Sequence, residues 1–492
     1  VDSPLLGLIL YLVLMAAVAA WTFGMNRTKE DFILGGRRLG AWVIACSERT
    51  AGESSWLILG LSGALYGRGL LESWTVIGCV SGIVFYWYVI ARKLREVSER
   101  YGAITLPEYF FRFSGRHGQT VRVASMLIIT FFFSFYVAAQ FLGAGKVLEV
   151  TFGLDAAWGM PLAAVVVVVY TLMGGFIAVC YTDVVQAVLM IVTLVVMPVV
   201  GIVYISTHGL DIGTAMAAKE GAASWTGGAT GWAAVAVIAG GLSWGPHYMG
   251  QPHLVTKFMA IDRPEAVAVG RRVAITWTAL AYGGAALVGV VGITLVHYGV
   301  LLPDAAAAVG ADEERILPVL ASQLFPAWIA GILISGAVAA MMSTADSQLL
   351  VATSTFVEDF YSKALGRSLS HRGSVTLSRV VTLVVGLLGF LLAVTSDDLI
   401  YDVVSLAWAG LGSSFGPALV LSLHWRRMNG AGVVAGMVTG AVVTVVWTRV
   451  PGLDAALSVR FVSFVAAFAA CVIAARLAAG EAAEGRDMRD SS

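Results

Sequence analysis

A chain of 492 residues that is 58% hydrophobic and only 13% charged, with a mean hydropathy of +0.84, has too little polar surface to cover a soluble globule. It is therefore expected to thread a membrane repeatedly. Its 31 basic and 31 acidic residues cancel, and no basic tract marks a nucleic-acid partner.

Cutting at charged and Gly/Pro-rich breaks gives thirteen candidate spans: 4–24, 41–66, 73–91, 121–148, 157–178, 183–206, 230–256, 273–298, 325–357, 379–395, 399–424, 431–448 and 457–476. Each is near the roughly 20 residues that a bilayer requires. The first lacks a basic n-region and a small-residue cleavage signature, so it is expected to be a retained helix, not a signal peptide. With the N-terminus outside, 24 Lys and Arg residues, Lys257 among them, fall on the cytoplasmic side and 6 on the other, with Arg49 inside a span. That bias predicts N-terminus out and C-terminus in. Cys46, Cys79, Cys180 and Cys471 are scattered through apolar segments, which argues against structural disulfides or zinc.

The second span contains Glu48-Arg-Thr-Ala-Gly-Glu-Ser-Ser-Trp56. Gly52 lets the helix unwind there. Arg49 and Glu53, spaced i and i+4, are expected to pair and so neutralise two charges that neither could carry alone in lipid. The alternative is that Glu53 is a cation or solute ligand modulated by Arg49. Arg37, just before this span, is expected either to anchor at the membrane interface or to gate an inner vestibule. The seventh span contains Ser243-Trp-Gly-Pro-His-Tyr-Met-Gly-Gln-Pro-His253, where Pro246 and Pro252 each remove a backbone donor.

Broken backbone at membrane depth is tolerated where it is buried in protein or lines a cavity, and its freed carbonyls are ready ligands. Trp56, Tyr136 on the fourth span, Trp244 and Tyr248 would suit a small amphipathic solute; the alternative is that they pack helices. Gln251 either donates to a carboxylate or caps the break. His247 and His253 are either proton carriers or partners of freed carbonyls. In the ninth span, helical spacing puts Ala340, Ser343, Thr344 and Ser347 on one face with Asp346 adjoining it. These hard oxygen donors outline a buried cation site. An intramembrane carboxylate costs about 2.5 kcal/mol or more, which marks Asp346 as functional. The broken spans are five apart, as an inverted repeat of five plus five helices would place them. The expected division is 1–40 an added helix and cytoplasmic loop, 41–206 the first repeat, 207–229 an external loop, 230–424 the second repeat, and 425–492 two added helices with a short tail.

These segments resemble the sodium/solute symporter family, and within it the bacterial sodium/proline symporters. The resemblance rests on Phe32-Ile-Leu-Gly-Gly-Arg37, Ser54-Ser-Trp56 with Gly60-Leu61, Leu106-Pro-Glu-Tyr109, Tyr181-Thr-Asp-Val-Val-Gln186, Trp244 through Tyr248, Gly250-Gln-Pro-His253 with Phe258-Met-Ala260, Met342-Ser-Thr344 with Gln348-Leu-Leu350, and Ala407-Trp-Ala-Gly410. It implies an all-α, leucine-transporter-like membrane protein of the prokaryotic cell membrane that couples inward sodium flow to uptake of a small solute by alternating access. The implied sodium ligands are the carbonyls of Thr50, Glu53 and Ala340 with the hydroxyls of Ser343 and Thr344. A second sodium, held by some relatives, maps onto Asp183, Ser343, Asp346 and Ser347; two carboxylates meeting near Ser343 need something positive between them. The implied solute pocket comprises Ser54, Ser55, Trp56, Tyr136, Trp244, Tyr248 and Gln251.

The chain departs from the proline symporters at Gly52, where they carry Asp, and at Glu53, where they carry an apolar residue. The resemblance makes L-proline the leading substrate, and the departure at Gly52 keeps open another small amino acid, a monocarboxylate, a sugar acid or a proton-coupled relative. No HExxH, paired histidine ligands or Ser/His constellation points to an enzyme. The short stretch after the last span leaves no room for a signalling domain, and no obligatory protein partner is evident beyond the lipid bilayer.

Overall fold

The computed structural model describes residues 3–22, 25, 29–173, 175–367, 370–396 and 398–478. Arg27, counted in the charge bias, and the tail from 479 onward lie outside the described residues. Apart from one isolated parallel bridge between Leu39 and Ile261, the described residues form helices and connections only. Among the described residues, ten helices are long and apolar enough to cross a membrane. The predicted second and seventh spans are broken into shorter pieces, and the fifth has the shorter apolar stretch Trp158–Leu172.

The second span runs as Ala41–Gly52, unwinds at Glu53 and Ser54, and resumes as a π-helical turn Trp56–Leu61 followed by Ser62–Arg68. The seventh divides into Gly231–Leu242, a tight 3-10 turn Gly245–Gly250 and the short helix Pro252–Met259. Pro246 and Pro252 each open a new turn, where a missing N–H costs nothing. The ninth span is continuous as Ala327–Ser354 and passes into a π-helical end, Thr355–Ala364.

One boundary departs from expectation. The expected spans 157–178 and 183–206 leave a connection between 178 and 183, yet the sixth span, Phe176–Thr207, begins just after Gly175. Thr182 bonds back to the Ala178 and Val179 carbonyls, and Asp183 finds partners on other spans, so both sit inside a helix. Asp183 is thereby carried two turns into the helix.

The third span (Ser73–Val89) meets the seventh through two facing small-residue pairs, Gly78 with Gly82 and Gly241 with Gly245. A Cβ on Gly78 would lie 2.6 Å from the Gly241 carbonyl oxygen, and one on Gly82 would overlap the Gly245 backbone. The backbones touch because neither side has a side chain, the arrangement that drives helix association in lipid. Gly82→Val is therefore expected to cost more than the roughly 1–3 kcal/mol of ordinary overpacking. Gly283→Val, which meets nothing within 4 Å, serves as its control. Thermal midpoints in detergent check this; equal midpoints would refute the close contact.

Candidate ion and solute site

The unwound stretch of the second span leaves carbonyls that the helix cannot satisfy. Ser55 N–H, which would have closed the turn onto Ala51, instead donates to Gln140 Oε1 at 3.2 Å. Hydroxyls of the ninth span meet the freed carbonyls. Ser343 Oγ donates to Thr50 O at 3.2 Å and Ala340 O at 3.0 Å, while Thr344 Oγ1 lies 3.4 Å from Thr50 O and 3.1 Å from Ala51 O. Five oxygens, three carbonyl and two hydroxyl, thus converge in a fully buried spot. Four of them were named from sequence. Ala51 was not, and neither hydroxyl donates to the Glu53 carbonyl.

The Glu53 carboxylate faces a different way. It accepts from Arg49 Nη1 at 2.9 Å, from the Tyr248 hydroxyl at 3.2 and 3.3 Å, and from the Tyr282 hydroxyl at 2.6 Å. Arg49 is shared with Glu48, which takes Nε at 2.7 Å and Nη2, and with the Tyr86 hydroxyl at 2.5 Å. Trp87 Nε1 donates to Glu48 at 3.0 Å. The predicted i, i+4 pair is present, and it belongs to a larger network in which one guanidinium serves two carboxylates.

The predicted aromatic set assembles beside this network. Trp56 and Trp244 have ring centroids 4.5 Å apart, and Trp408 lies 4.7 Å from Tyr248, 6.2 Å from Tyr136 and 6.2 Å from Trp244. Tyr401 and Tyr282 stand 6.3 and 6.2 Å from Trp56. Trp408, Tyr282 and Tyr401 were not selected from the sequence, although Trp408 stands in the motif Ala407 to Gly410. Trp56, Tyr136, Trp244, Tyr248, Trp408 and Glu53 are each no more than 2% exposed, so these side chains are packed out of reach of solvent.

Other candidates have structural partners. The Ser55 hydroxyl lies 3.0 Å from Gln140 Oε1, and Gln251 Nε2 bonds the carbonyls of His247 and Trp408, which makes it a cap for the break. Ser54 Oγ accepts the Trp56 N–H at 3.2 Å. His247 is held through both ring nitrogens, by Ser243 O at 2.7 Å and Ser413 Oγ at 3.1 Å. His253 packs edge-on to Phe133 and Tyr136.

Arg37 ties loops together at one end of the bundle. Its guanidinium donates to Met259 O at 2.8 Å and Ala103 O at 2.6 Å, and reaches Ser98. Nearby, Glu108 accepts from Lys363 Nζ at 2.5 Å and Arg112 at 3.3 Å. Burial alone would raise the Glu108 carboxyl, but these two cations more than offset it and hold it below the usual carboxylate range.

Lys257, counted above among the cytoplasmic cations, is instead 2% exposed and reaches into the bundle from the helix Pro252–Met259. Its ammonium sits 2.9 Å from Asp183 Oδ2, 2.9 Å from Ser47 O, 2.7 Å from Ser47 Oγ and 3.1 Å from Ser347 Oγ. Ser47 Oγ also lies 2.6 Å from Asp183. Two of the four residues expected around a second sodium, Asp183 and Ser347, are thus on this ammonium, whereas Ser343 belongs to the hydroxyl–carbonyl cluster.

The profile of the Sodium:solute symporter family matches residues 32–440. The chain is 38% identical over 446 residues to a sodium/proline symporter of Salmonella typhimurium, covering 90% of this chain and 86% of the relative. It is 36% identical over 456 residues to the high-affinity proline transporter PutP of Bacillus subtilis, covering 90% and 94%. Among solved structures, the outward-open, substrate-bound state of a sodium-coupled sialic acid symporter superposes with a TM-score of 0.77 at 20% identity, covering 97% of each chain.

Proposed function

Because the chain belongs to the sodium:solute symporter family and is a multi-pass membrane protein, we propose that it couples inward sodium movement to uptake of a small solute, L-proline first, by alternating access. The observation that carries the reading is the hydroxyl–carbonyl cluster at the break of the second span, next to a buried aromatic cluster. Sodium would be held by the carbonyls of Thr50 and Ala340, the hydroxyls of Ser343 and Thr344, and either Glu53 O or Ala51 O. These are hard, uncharged oxygens of the kind a monovalent cation takes. Trp56, Tyr136, Trp244 and Tyr248, joined by Trp408, would enclose the apolar body of the solute, with Ser54 at the rim.

Thirteen membrane crossings, with the N-terminus out and the C-terminus in, fit the charge bias. The repeats 41–206 and 230–424 would then rock against one another about the two broken spans, with 1–40 and 425–492 outside them and 207–229 an external connection. Arg37 and Glu108, which tie loops at the cytoplasmic end, would have to release when the solute leaves inward.

A second reading concerns the substrate alone. Glu53 presents a carboxylate to Tyr248 and Tyr282 at the edge of the cage. That favours, as the alternative to proline, another small solute bearing an amine over a monocarboxylate or sugar acid, because the carboxylate offers an amine a charged partner that those two solutes lack.

In proteoliposomes, an inward sodium gradient is expected to drive accumulation of labelled proline, and a matched potassium gradient is not. Equal uptake under both would overturn the coupling. Sodium-driven uptake of another amine-bearing solute with which proline does not compete would move the substrate assignment to the second reading.

A further inference from the structure

Lys257 is surrounded as a bound monovalent cation would be. Its ammonium is met by one carboxylate oxygen of Asp183, one carbonyl oxygen of Ser47 and the hydroxyls of Ser47 and Ser347, all between 2.7 and 3.1 Å. The residues come from the second, sixth, seventh and ninth spans, so the side chain pins four spans together from within. Asp346 is also fully buried and within electrostatic reach of both Asp183 and Lys257. Neither oxygen of Asp346 has a hydrogen-bond partner across the site, and Asp183 Oδ1 has none.

We infer that Lys257 is a tethered cation bonded to Asp183 and within reach of Asp346, so that this chain takes no second sodium at the acidic pair and couples through the hydroxyl–carbonyl site alone. The physical case is charge and space. Two buried carboxylates cannot both remain ionised at close range without a positive charge between them. Here that charge is covalently attached, which makes it far more concentrated locally than any dissolved ion. A sodium ion placed on Asp183 and Ser347 would meet both the ammonium's volume and its charge. The donor set therefore suits a cation but does not fit a free one while Lys257 is in place. Lys257 sits on the short helix that follows the break of the seventh span, so it leaves the acidic pair only if that helix moves. Its release would accompany opening of the bundle.

This inference rests on the proposed sodium coupling, but its test reads ion count and not solute identity. Radiolabelled sodium bound at equilibrium would be counted per chain in the detergent-purified full-length protein, and in Lys257→Ala, Lys257→Gln and Lys257→Arg variants checked for monodispersity. Removing the ammonium is expected to add one bound sodium per chain in Lys257→Ala or Lys257→Gln. Lys257→Arg should keep the wild-type count. Asp346→Asn in the wild-type background should leave the count unchanged. Two sodium ions on the wild type would overturn the inference, and so would an unchanged count in a well-folded Lys257→Ala or Lys257→Gln. If both neutral variants fail to fold, the wild-type count decides: one ion supports the inference and two overturn it. A wild type that binds no sodium, beside a Lys257→Ala that binds one, would keep the tethered cation and overturn the coupling reading instead.

Discussion

Thr344→Val is expected to raise the sodium concentration needed for half-maximal uptake by about ten- to a hundredfold while leaving maximal transport within reach at high sodium. A hydroxyl bonded to a charged partner contributes roughly 1.5–3 kcal/mol, which converts to that range. Thr344 Oγ1 sits 3.1 Å from Ala51 O and 3.4 Å from Thr50 O, where it would join those carbonyls on the ion. Ser343→Ala should behave in the same direction, because Ser343 Oγ spans Thr50 O and Ala340 O. Thr344→Val also takes the hydroxyl donor from the buried Ala51 carbonyl, at a cost of about 1–3 kcal/mol, so a loss of stability would not by itself implicate sodium. The discriminating readout is the sodium-induced rise in thermal midpoint, which follows the logarithm of site saturation. The wild-type rise should reappear in Thr344→Val only at correspondingly higher sodium, and in Thr344→Ser near the wild-type concentration. A Thr344→Val protein with wild-type sodium dependence would remove this residue from the ion shell.

Much of this architecture was legible because lipid imposes simple rules. Hydropathy marks the spans, and a run such as Gly-Pro-His-Tyr-Met-Gly-Gln-Pro cannot remain a regular helix, so the break of the seventh span follows from the residues alone. The Ser343 and Thr344 face was legible for the same reason, since hydroxyls at helical spacing in an apolar run must meet something. What stayed hidden depends on contacts between distant spans. Tyr282 lies in an otherwise unremarkable apolar helix and is drawn to Glu53 only by the packing of the eighth span against the second. Lys257 looked like a cytoplasmic cation because it stands close to the end of a span. Its flexible stem carries the ammonium back into the bundle, a direction that position in sequence does not encode. The start of the sixth span was placed too late, at 183, although Thr182 bonds within the helix and Asp183 to neighbouring spans.

The network around Arg49 is where a single change should be most costly to stability. Arg49, Glu48 and Glu53 are fully buried, and removing one partner of such a group typically costs about 3–5 kcal/mol because the remaining charge is left unpaired. Arg49→Gln strands two carboxylates at once and is expected to lower the thermal midpoint most. Glu53→Gln should cost less: Arg49 keeps Glu48, and the Tyr248 and Tyr282 hydroxyls retain an amide oxygen to bond. The pair Arg49→Gln with Glu53→Gln still leaves Glu48 buried with only Trp87 Nε1 as donor, so recovery should be incomplete. Neutralising all three with Glu48→Gln, Arg49→Gln and Glu53→Gln should recover most of the loss, because no unpaired charge remains, the two Glu→Gln changes keep their volume, and only the shorter Gln at 49 gives up packing. Thermal midpoints of the four proteins, measured at one sodium concentration and again without sodium, give the ordering. If Glu53→Gln keeps the wild-type midpoint without sodium yet loses solute or sodium binding, Glu53 is a ligand and the structural pairing is secondary. If the triple variant is no more stable than Arg49→Gln, the cost lies in packing and not in charge, and the network account fails.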